Sequence, residues 1–223
     1  MERALVIGAS GGIGGAVSDA LQQRGTAVRA LSRSRDGLDL TDEASIAAIL
    51  GRESGPFDLI LVASGALEIA GAAPEKTIAR IDARAMMDQF ALNAVGPALV
   101  MREALRLLPK DRRAVFAVLS ARVGSIGDNR LGGWIGYRSA KAAVNQVLRT
   151  GAIEFARSHP GVICAALHPG TVRTAFTRKY LGRHPAVSPQ EAAANLLSVI
   201  EGLRPEDSGG FFDWQAAGGA VAR

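Results

Sequence analysis

Short runs of apolar residues recur along the chain, and a stretch with helical spacing of its apolar positions follows each run. The predicted strands are Ala4–Ile7, Ala27–Leu31, Leu59–Ala63, Ala114–Leu119 and Val162–Leu167. Uninterrupted apolar strands that alternate with helices are typical of a parallel sheet covered by helices on both faces. The pattern therefore predicts the α/β class, with a doubly wound parallel β-sheet.

Residues that favour helix N-termini precede two of the helical stretches. Thr41 is the predicted N-cap of the helix in "DEASIAAIL", and Ser188 is the predicted N-cap of "SPQEAAANLLSVIEGL", with Pro189 at its first helical position. The interval between the second strand and the first of these helices has room for a short strand at Leu38–Leu40 but not for a strand and a full helix. One crossover helix is therefore expected to be missing.

The composition limits the class of protein. A length of 223 residues suits one domain, and no stretch reaches the ~18 uninterrupted apolar residues that cross a bilayer, so no membrane association is expected. We recognise no secretory signal at the N-terminus and expect a cytoplasmic location. Cys164 is the only cysteine and lies between apolar neighbours, so it is expected to be a reduced core residue.

The net charge of +5 raises the question of an anionic partner. The basic residues are scattered and aromatic residues are few, so neither a basic stripe nor a stacking platform for nucleic acid is predicted. An anionic small molecule accounts better for the charge. No metal is expected, and His168 is expected to be a hydrogen-bonded structural residue, because neither a carboxylate partner nor metal-ligand spacing accompanies it.

A glycine-rich turn, "IGASGGIGGAV", connects the first predicted strand to an amphipathic helix. Glycines allow the sharp bend and the close approach of a ligand, and the N–H groups at the start of the helix can bind a pyrophosphate. We expect a dinucleotide here rather than glycines that serve only for tight packing. The expected contact residues are Gly8, Ser10, Gly11, Gly12, Ile13 and Gly14.

The end of the second predicted strand is basic. In "ALSRSR", Ser32, Arg33 and Arg35 stand where a site for NAD usually has an acidic residue for the ribose hydroxyls. A guanidinium group at this position can bind a 2′-phosphate instead. The segment therefore favours NADP(H) over NAD(H), with Arg33 as the first candidate; a solvated basic turn is the alternative.

Tyr137 and Lys141 are four residues apart in "GGWIGYRSAKAAVNQ", which is predicted to be helical, so they would project from the same face. A phenol with a pKa near ~10 is a poor proton donor and acceptor at neutral pH unless its anion is stabilised. A nearby ammonium group would supply that stabilisation. For this pair alone, a half-buried tyrosine packed beside a surface lysine is the more common arrangement.

Further motifs place this pair in a larger pattern. Asn93 in "FALNAVGPALV", the serine-containing loop before Tyr137 and the "HPGTVRT" turn follow in order. Over nearly its whole length the chain resembles the short-chain dehydrogenase/reductase (SDR) family. "SARVGSIGDNRLGGW", "LHPGTVRT" and "GGFFDW" are similar to its short C-factor-like or sniffer-like carbonyl-reductase branch. The resemblance implies a single NAD(P)-binding Rossmann domain over residues 1–223 and an enzyme that reduces a ketone or aldehyde to an alcohol with NADPH.

The same resemblance implies roles for individual residues. Tyr137 would be the general acid in carbonyl reduction, Lys141 would bind the nicotinamide ribose and lower the pKa of Tyr137, and Asn93 would hold a water that relays protons to Lys141. Val172 and Thr174 would contact the nicotinamide carboxamide. Asp39 would contact the adenine amino group. The other cofactor-binding residues that the resemblance implies are Leu40, Ala63, Ser64, Gly65, Pro169 and Gly170.

Two positions depart from the family's pattern. In "VASGA", Ala63 stands in place of a structural asparagine. In "VLSARVGS", Ala121 stands where the family's catalytic serine is expected, between Ser120 and Ser125. Adjacent residues of a strand point to opposite faces, whereas Ser125 lies in a loop that could turn towards the pocket. Ser120 is the favoured carbonyl-binding serine, and Ser125 is the alternative.

The resemblance also bears on partners. Residues 173–187 have the place of the family's substrate lid, and their basic side chains would either favour an acidic substrate or solvate a mobile loop. The helices around Met86–Leu108 and Trp134–Ser158 would pair across a two-fold axis, giving a homodimer or homotetramer. The other expected partner is a small-molecule carbonyl or alcohol substrate. The alternative function is that of an NAD(P)-binding signalling or regulatory protein with little turnover.

Overall fold

The computed structural model describes residues 1–175, 177–181 and 186–214. The strands are β1 (Arg3–Ile7), β2 (Ala27–Leu31), β3 (Leu59–Val62), β4 (Ala114–Leu119), β5 (Val162–His168) and β6 (Gly210–Asp213). The helices are α1 (Gly12–Gln23), α2 (Arg33–Asp36), α3 (Glu43–Leu50), α4 (Ala83–Phe90), α5 (Gly96–Leu107), α6 (Ile135–Ser158) and α7 (Pro189–Gly202). A π-helical turn at Ala91–Val95 joins α4 to α5, and short 3₁₀ turns occur at Ile78–Arg80, Arg122–Gly124 and Pro205–Asp207.

The strands form one sheet in the order β2-β1-β3-β4-β5-β6, and every neighbouring pair is parallel. The chain runs outward from β1 to β2 and then returns to place β3 on the other side of β1. This reversal creates a crevice at the carboxyl ends of β1 and β3, which is where open α/β sheets bind ligands. The predicted doubly wound Rossmann-type fold is confirmed.

The core consists of two apolar layers, one on each face of the sheet. In β4, Phe116 faces the layer that includes α5 and α6, where its ring stacks on Phe155 at 6.4 Å. Its neighbours Val115 and Ala117 face the opposite layer, which includes α1 and α7. Both faces of the strand are therefore buried, which explains its continuous apolar sequence.

The connection after β2 differs from the prediction. Leu38–Leu40 forms no strand, although its two leucines are buried in the core, and the one-turn helix α2 precedes it. The N-cap of α3 is Asp42 rather than Thr41, because the Asp42 carboxylate accepts a hydrogen bond of 2.9 Å from Ala44 N. Thr41 instead donates from its hydroxyl to the Asp39 carboxylate. Both polar residues fit the sequence pattern of an N-cap, but only Asp42 directly precedes the first residue of the helix.

Most other boundaries agree with the sequence pattern to within a few residues. Ser188 caps α7 as predicted, accepting a hydrogen bond of 3.1 Å from Glu191 N. The predicted helix at Met86–Leu108 corresponds to α4 and α5 with the π turn between them. The strand β6 was not among the predicted strands. Within the described residues, no helix is both long and apolar enough to cross a membrane.

Candidate functional site

A cleft of about 300 Å³ lies at the carboxyl ends of β1, β3, β4 and β5. Its walls come from the loops that follow these strands and from the start of α6. The residues that line it are Ser10, Gly11, Gly12, Ile13, Ala63, Ser64, Gly65, Leu119, Ser120, Ala121, Tyr137, Lys141, His168, Pro169, Gly170, Val172, Thr174, Ala175 and Thr177.

The glycine turn between β1 and α1 forms one wall of the cleft. Gly8 has a φ of +92° and lies behind this wall, where a Cβ atom would come within 2.7 Å of Ser64 N. A Cβ on Gly14 would lie 2.4 Å from the Gly8 carbonyl oxygen. The N-cap of α1, Gly11, offers no side chain to the first N–H groups of the helix, which remain available for an anionic group at the cleft.

The residues predicted to bind the adenosine half lie beyond the end of β2 and do not line the cleft. Ser32 is buried, and its N–H donates to the Asp36 carboxylate at 2.8 Å. Arg33 is exposed at the start of α2. The Asp39 carboxylate accepts hydrogen bonds from the N–H and the hydroxyl of Thr41. The bond from the N–H is the main cause that lowers the Asp39 pKa. Leu40 is buried beside this group.

Tyr137 and Lys141 project from the first turns of α6 into the cleft, as their spacing predicts. Lys141 Nζ donates to the Leu119 carbonyl oxygen at 2.8 Å and lies 5.7 Å from the centroid of the Tyr137 ring. Burial lowers the pKa of Lys141 to about 8 and raises the pKa of the Tyr137 hydroxyl. The direction for Tyr137 is opposite to the expected lowering, because burial dominates the environment of this phenol.

Asn93 lies in the π turn between α4 and α5 and is fully buried. Its Oδ1 atom accepts a hydrogen bond from Ala66 N at 3.3 Å, and its Nδ2 atom donates to Ala66 O and to Gln89 Oε1. Gly65 lies between Asn93 and Lys141, since its Cβ would be 2.9 Å from Asn93 Oδ1 and 3.5 Å from Lys141 Nζ. The π turn thus places Asn93 behind the cleft, next to the lysine.

The two candidate serines differ in position. Ser120 lines the cleft, and its hydroxyl donates to Asn145 Oδ1 at 2.7 Å. Ser125 is 2% exposed and is not among the residues that line the cleft. Ala121 lines the cleft, so a methyl group faces the space where a serine hydroxyl is expected.

His168 lines the cleft at the end of β5 and was not a predicted site residue. Its Nδ1 atom is buried without a hydrogen-bond partner among the described residues, where a hydrogen-bonded structural histidine was expected. Burial lowers the His168 pKa to about 4; the charge of Arg122 adds to this effect and that of Asp213 opposes it. Its position at a strand end, next to the crevice, is the sequence signal that points to it.

The turn after β5 forms a further part of the cleft wall, next to the glycine turn. Gly170 has a φ of +79°, and a Cβ there would lie 2.4 Å from Trp214 Nε1, so the indole packs directly on this turn. Thr174 faces Gly12, whose Cβ would lie 2.8 Å from Thr174 Cγ2. Sequence reasoning did not assign a role to Trp214, because a contact between residues so far apart along the chain leaves no local pattern.

The described part of the predicted lid, residues 173–187, contacts the loop after β3; the rest of it lies outside the described residues. Lys179 Nζ forms an ion pair with Glu68 Oε2 at 2.8 Å, and the Tyr180 hydroxyl donates to Glu68 Oε1. The Tyr180 ring contacts Trp134 edge-on at 5.5 Å between centroids.

The single cysteine lies in the core, away from the cleft. Cys164 is fully buried, and burial raises the pKa of its thiol to about 12. Across residues 1–175, 177–181 and 186–214, no group of three or more His, Cys, Asp or Glu side chains is placed to hold a metal ion.

Comparison with known proteins identifies relatives of this chain. The short chain dehydrogenase family model matches residues 37–183. A protein of Rhodococcus sp. named 1-hydroxy-2-glutathionyl-2-methyl-3-butene dehydrogenase is 33% identical over 95% of this chain and 96% of its own length. The C-signal protein of Myxococcus xanthus is 32% identical over 73% of this chain and 91% of its own length.

Solved structures share the fold. The carbonyl reductase Sniffer of D. melanogaster superposes with a TM-score of 0.83 at 20% identity, and each chain is covered completely. A short-chain dehydrogenase/reductase from Burkholderia multivorans, solved with bound NADP, gives a TM-score of 0.80 at 24% identity over 100% of this chain and 99% of the other. From the family match and the two curated relatives, the chain belongs to the short-chain dehydrogenase/reductase family of oxidoreductases.

Proposed function

We propose that this protein uses NADPH to reduce a ketone or aldehyde to an alcohol. The observation that carries the proposal is the presence of Tyr137 and Lys141 on one wall of a cleft whose other wall is the glycine turn. When bound, the dinucleotide supplies the hydride, and the protein supplies orientation and a proton. The Rhodococcus relative is named as a dehydrogenase of an alcohol, so we propose that the reaction can run in both directions.

The proton in the reductive direction is proposed to come from Tyr137. Burial raises the pKa of its hydroxyl, so the phenol is protonated at neutral pH and ready to donate to the oxygen of a reduced carbonyl. Lys141 Nζ, 5.7 Å from the ring centroid, would bind the nicotinamide ribose and stabilise the tyrosinate that remains. Asn93, on the far side of Gly65, is proposed to hold the water that returns a proton to Lys141.

The residues present fit a dinucleotide. The uncapped N–H groups at the start of α1 would bind the pyrophosphate, and Val172 and Thr174 would contact the carboxamide of the nicotinamide. Asp39 would accept from the adenine amino group. The exposed guanidinium of Arg33 supports NADP(H) over NAD(H), because it is free to bind a 2′-phosphate. Structural relatives from Burkholderia multivorans and from chicken liver were solved with NADP and NADPH.

Ser120 is the proposed second hydrogen-bond donor to the substrate oxygen, since it lines the cleft and Ser125 does not. Its hydroxyl proton points to Asn145 Oδ1 in the structure. Rotation of the Asn145 amide by half a turn would place its NH₂ group towards Ser120 and free the serine proton for a carbonyl oxygen. Ser120 therefore needs Asn145 to change its orientation, whereas Tyr137 needs no rearrangement.

The test is NADPH oxidation with a panel of aldehydes and ketones, followed by the loss of the reduced cofactor's absorbance. Tyr137→Phe is expected to lower kcat by about 10²- to 10⁴-fold while NADPH still binds, because only the acid–base step is lost. Tyr180→Phe is the matched control, since Tyr180 is the other tyrosine of the chain and lies in the lid. Equal turnover by the wild type and Tyr137→Phe would refute the mechanism.

A signalling or regulatory role is the second candidate. It is favoured by the methyl group of Ala121 at the position of the family's serine and by the similarity to C-signal. In that case NADPH would bind, and no carbonyl in the panel would be turned over.

We also propose that the protein is a homodimer or homotetramer. Met87 on α4, Val95 in the π turn and Ile153 on α6 are 61%, 50% and 52% exposed, so the helices proposed to pair across the two-fold axis carry uncovered apolar side chains. A second copy would cover them. Sedimentation at micromolar concentration tests this, and a monomer would contradict it.

A further inference from the structure

The start of α6 is held by a residue from a distant part of the chain. The Glu75 carbonyl oxygen accepts a hydrogen bond from Trp134 N at 2.5 Å. Both oxygens of the Glu75 carboxylate lie 3.3 Å from Gly136 N and accept from it. Trp134, the N-cap residue, makes no side-chain cap of its own. One glutamate therefore satisfies two N–H groups next to the residue that bears the phenol.

This cap differs from those of the other helices. Asp42, Asp82 and Ser188 cap α3, α4 and α7 from within their own chain segments. The cap of α6 comes from a residue 61 positions earlier, in the loop between β3 and α4. A carboxylate at this position also interacts favourably with the positive end of the helix dipole.

The backbone that leads into α6 needs such support. Gly132, Gly133 and Trp134 have φ values of +63°, +67° and +52°, so three consecutive residues are left-handed. Glycine adopts this conformation freely, but a bulky residue adopts it rarely and only where its surroundings enforce it. The hydrogen bond from Trp134 N to the Glu75 carbonyl oxygen helps to hold this residue, whose ring also contacts that of Tyr180. Strained residues of this kind concentrate at functional sites.

The loop that bears Glu75 is itself anchored near the site. Gln89 Nε2 donates to the Leu67 carbonyl oxygen at 2.9 Å, and Gln89 Oε1 accepts from Asn93. A Cβ on Gly136 would lie 3.0 Å from Glu75 Oε1 and 3.5 Å from Gln89 Cγ, so the loop, α4 and α6 meet at this glycine. A shift of Glu75 would therefore be transmitted directly to the first turn of α6.

We propose that Glu75 is a positioning residue, which fixes the first turn of α6 and thereby holds the Tyr137 hydroxyl at the cleft. The inference rests on the proposed function of Tyr137 as the proton donor. Glu75 acts through the backbone of Trp134 and Gly136 and does not itself take part in the chemistry. It also couples the loop after β3 to the proton donor.

The experiment compares Glu75→Ala and Glu75→Gln with Asp82→Ala, which removes the side-chain cap of a helix without catalytic tyrosine. At a temperature where the protein is folded, Glu75→Ala is expected to lower kcat by about tenfold, because misplacement of a reacting group by less than 1 Å has effects of this size. The Kd for NADPH should stay within about twofold of the wild type. Glu75→Gln keeps an acceptor for Gly136 N and should recover most of kcat. Asp82→Ala should lower Tm and leave kcat within about twofold.

Hydrogen exchange gives a readout that does not depend on turnover. Amides of residues 136–138 should exchange faster in Glu75→Ala than in the wild type, because only the side-chain acceptor of Gly136 N is lost, and those of α7 should not change. If the wild type turns over no carbonyl, the proposed function fails, while faster exchange would still support the positioning role. Unchanged exchange in Glu75→Ala would overturn it, and so would a kcat equal to that of the wild type in an active enzyme.

A second route covers the case in which Glu75→Ala does not fold. Gly136→Ala introduces a Cβ 3.0 Å from Glu75 Oε1 and disturbs the same contact from the helix side. It should lower kcat by a few-fold with NADPH affinity retained. A folded Gly136→Ala variant with the kcat of the wild type would contradict the proposal.

Discussion

The two walls of the cleft are built in different ways. The glycine wall is mainly local: Gly8 and Gly14 lie within one turn, and a Cβ on Gly14 would clash with the Gly8 carbonyl oxygen, although Gly8 itself also packs against Ser64 after β3. The tyrosine wall depends on distant residues, since Leu119 binds Lys141 and Glu75 binds the start of α6. A ligand-binding turn can thus be encoded in a short segment, whereas the position of a proton donor depends on packing between segments far apart in the chain.

The largest expected effect is at the glycine wall. In Gly8→Ala, a Cβ would clash with Ser64 N at 2.7 Å and with Ser64 Oγ at 2.6 Å, and the backbone would keep an unfavourable φ of +92°. Unfolding free energy should fall by about 3 kcal/mol, and NADPH affinity should drop as the turn moves.

The control for this variant is Gly25→Ala, where φ is +81° but nothing lies within 4 Å of the added Cβ. It separates backbone strain from the clash and should cost only about 1 kcal/mol in chemical denaturation. Equal losses in the two variants would show that the close approach to β3 does not matter.

The next effect tests the buried charge of the tyrosine wall. Burial lowers the Lys141 pKa to about 8 in the folded protein, below that of the unfolded chain. Between these two pKa values the unfolded chain binds more protons, so stability rises with pH. From pH ~7 to ~10 the wild type should gain about 2 kcal/mol relative to Lys141→Met.

Denaturation of both proteins without cofactor, at each pH, measures this difference. The raised pKa values of Cys164 and Tyr137 make stability fall at high pH in both proteins, so only the difference between the two proteins reports on Lys141. Parallel pH profiles for the two proteins would mean that Lys141 is not desolvated in solution.

The contrast between the walls also explains what the sequence could predict. The sheet was predictable because β3, β4 and β5 are continuous apolar runs, and the glycine turn and the Tyr137–Lys141 pair are local spacings. Glu75 and Trp214 were missed, because each acts through a contact between segments distant in the chain. The pKa of Tyr137 was predicted with the wrong sign, since its burial is a property of the folded structure.

Two local predictions were wrong: the N-cap residue of α3 and the short strand after β2. Thr41 and Asp42 both suit an N-cap, and the choice depends on which backbone conformation the preceding turn permits. Leu38–Leu40 is apolar enough for a strand, but β2 is the edge strand of the sheet and nothing pairs with its outer side among the described residues. A segment can thus have the apolar composition of a strand and be buried in the core without pairing in the sheet.

Cofactor preference is expected to show a smaller effect. Arg33→Ala should reduce the ratio of kcat/KM for NADPH to that for NADH by about tenfold, because a charge-assisted contact with a 2′-phosphate is lost. Arg35→Ala, two residues away in the same exposed helix, is the control and should change the ratio less. If both variants keep the wild-type ratio, this basic turn does not bind the 2′-phosphate of the cofactor.

The smallest expected effect is a gain. Ala121→Ser places a hydroxyl in the cleft at the position that the family uses for its serine, and kcat should rise by about threefold if Tyr137 at present acts without a well-oriented second donor. Ser120→Ala in the same background should then be tolerated. A loss of activity in Ala121→Ser would indicate that the methyl group shapes the pocket for the substrate.

The π turn at Ala91–Val95 has a consequence for insertions and deletions. A π turn contains one residue more than the α-helical turn it replaces, and each residue of an α-helix advances by about 100°. Deleting one residue there would restore α-helical geometry and rotate α4 against α5. Asn93 would then leave its place behind the cleft, or the apolar face of α5 would leave the core. A single-codon deletion in this turn should therefore be far more harmful than one in the exposed loops. The number of residues between α4 and α5 is thus fixed by the structure.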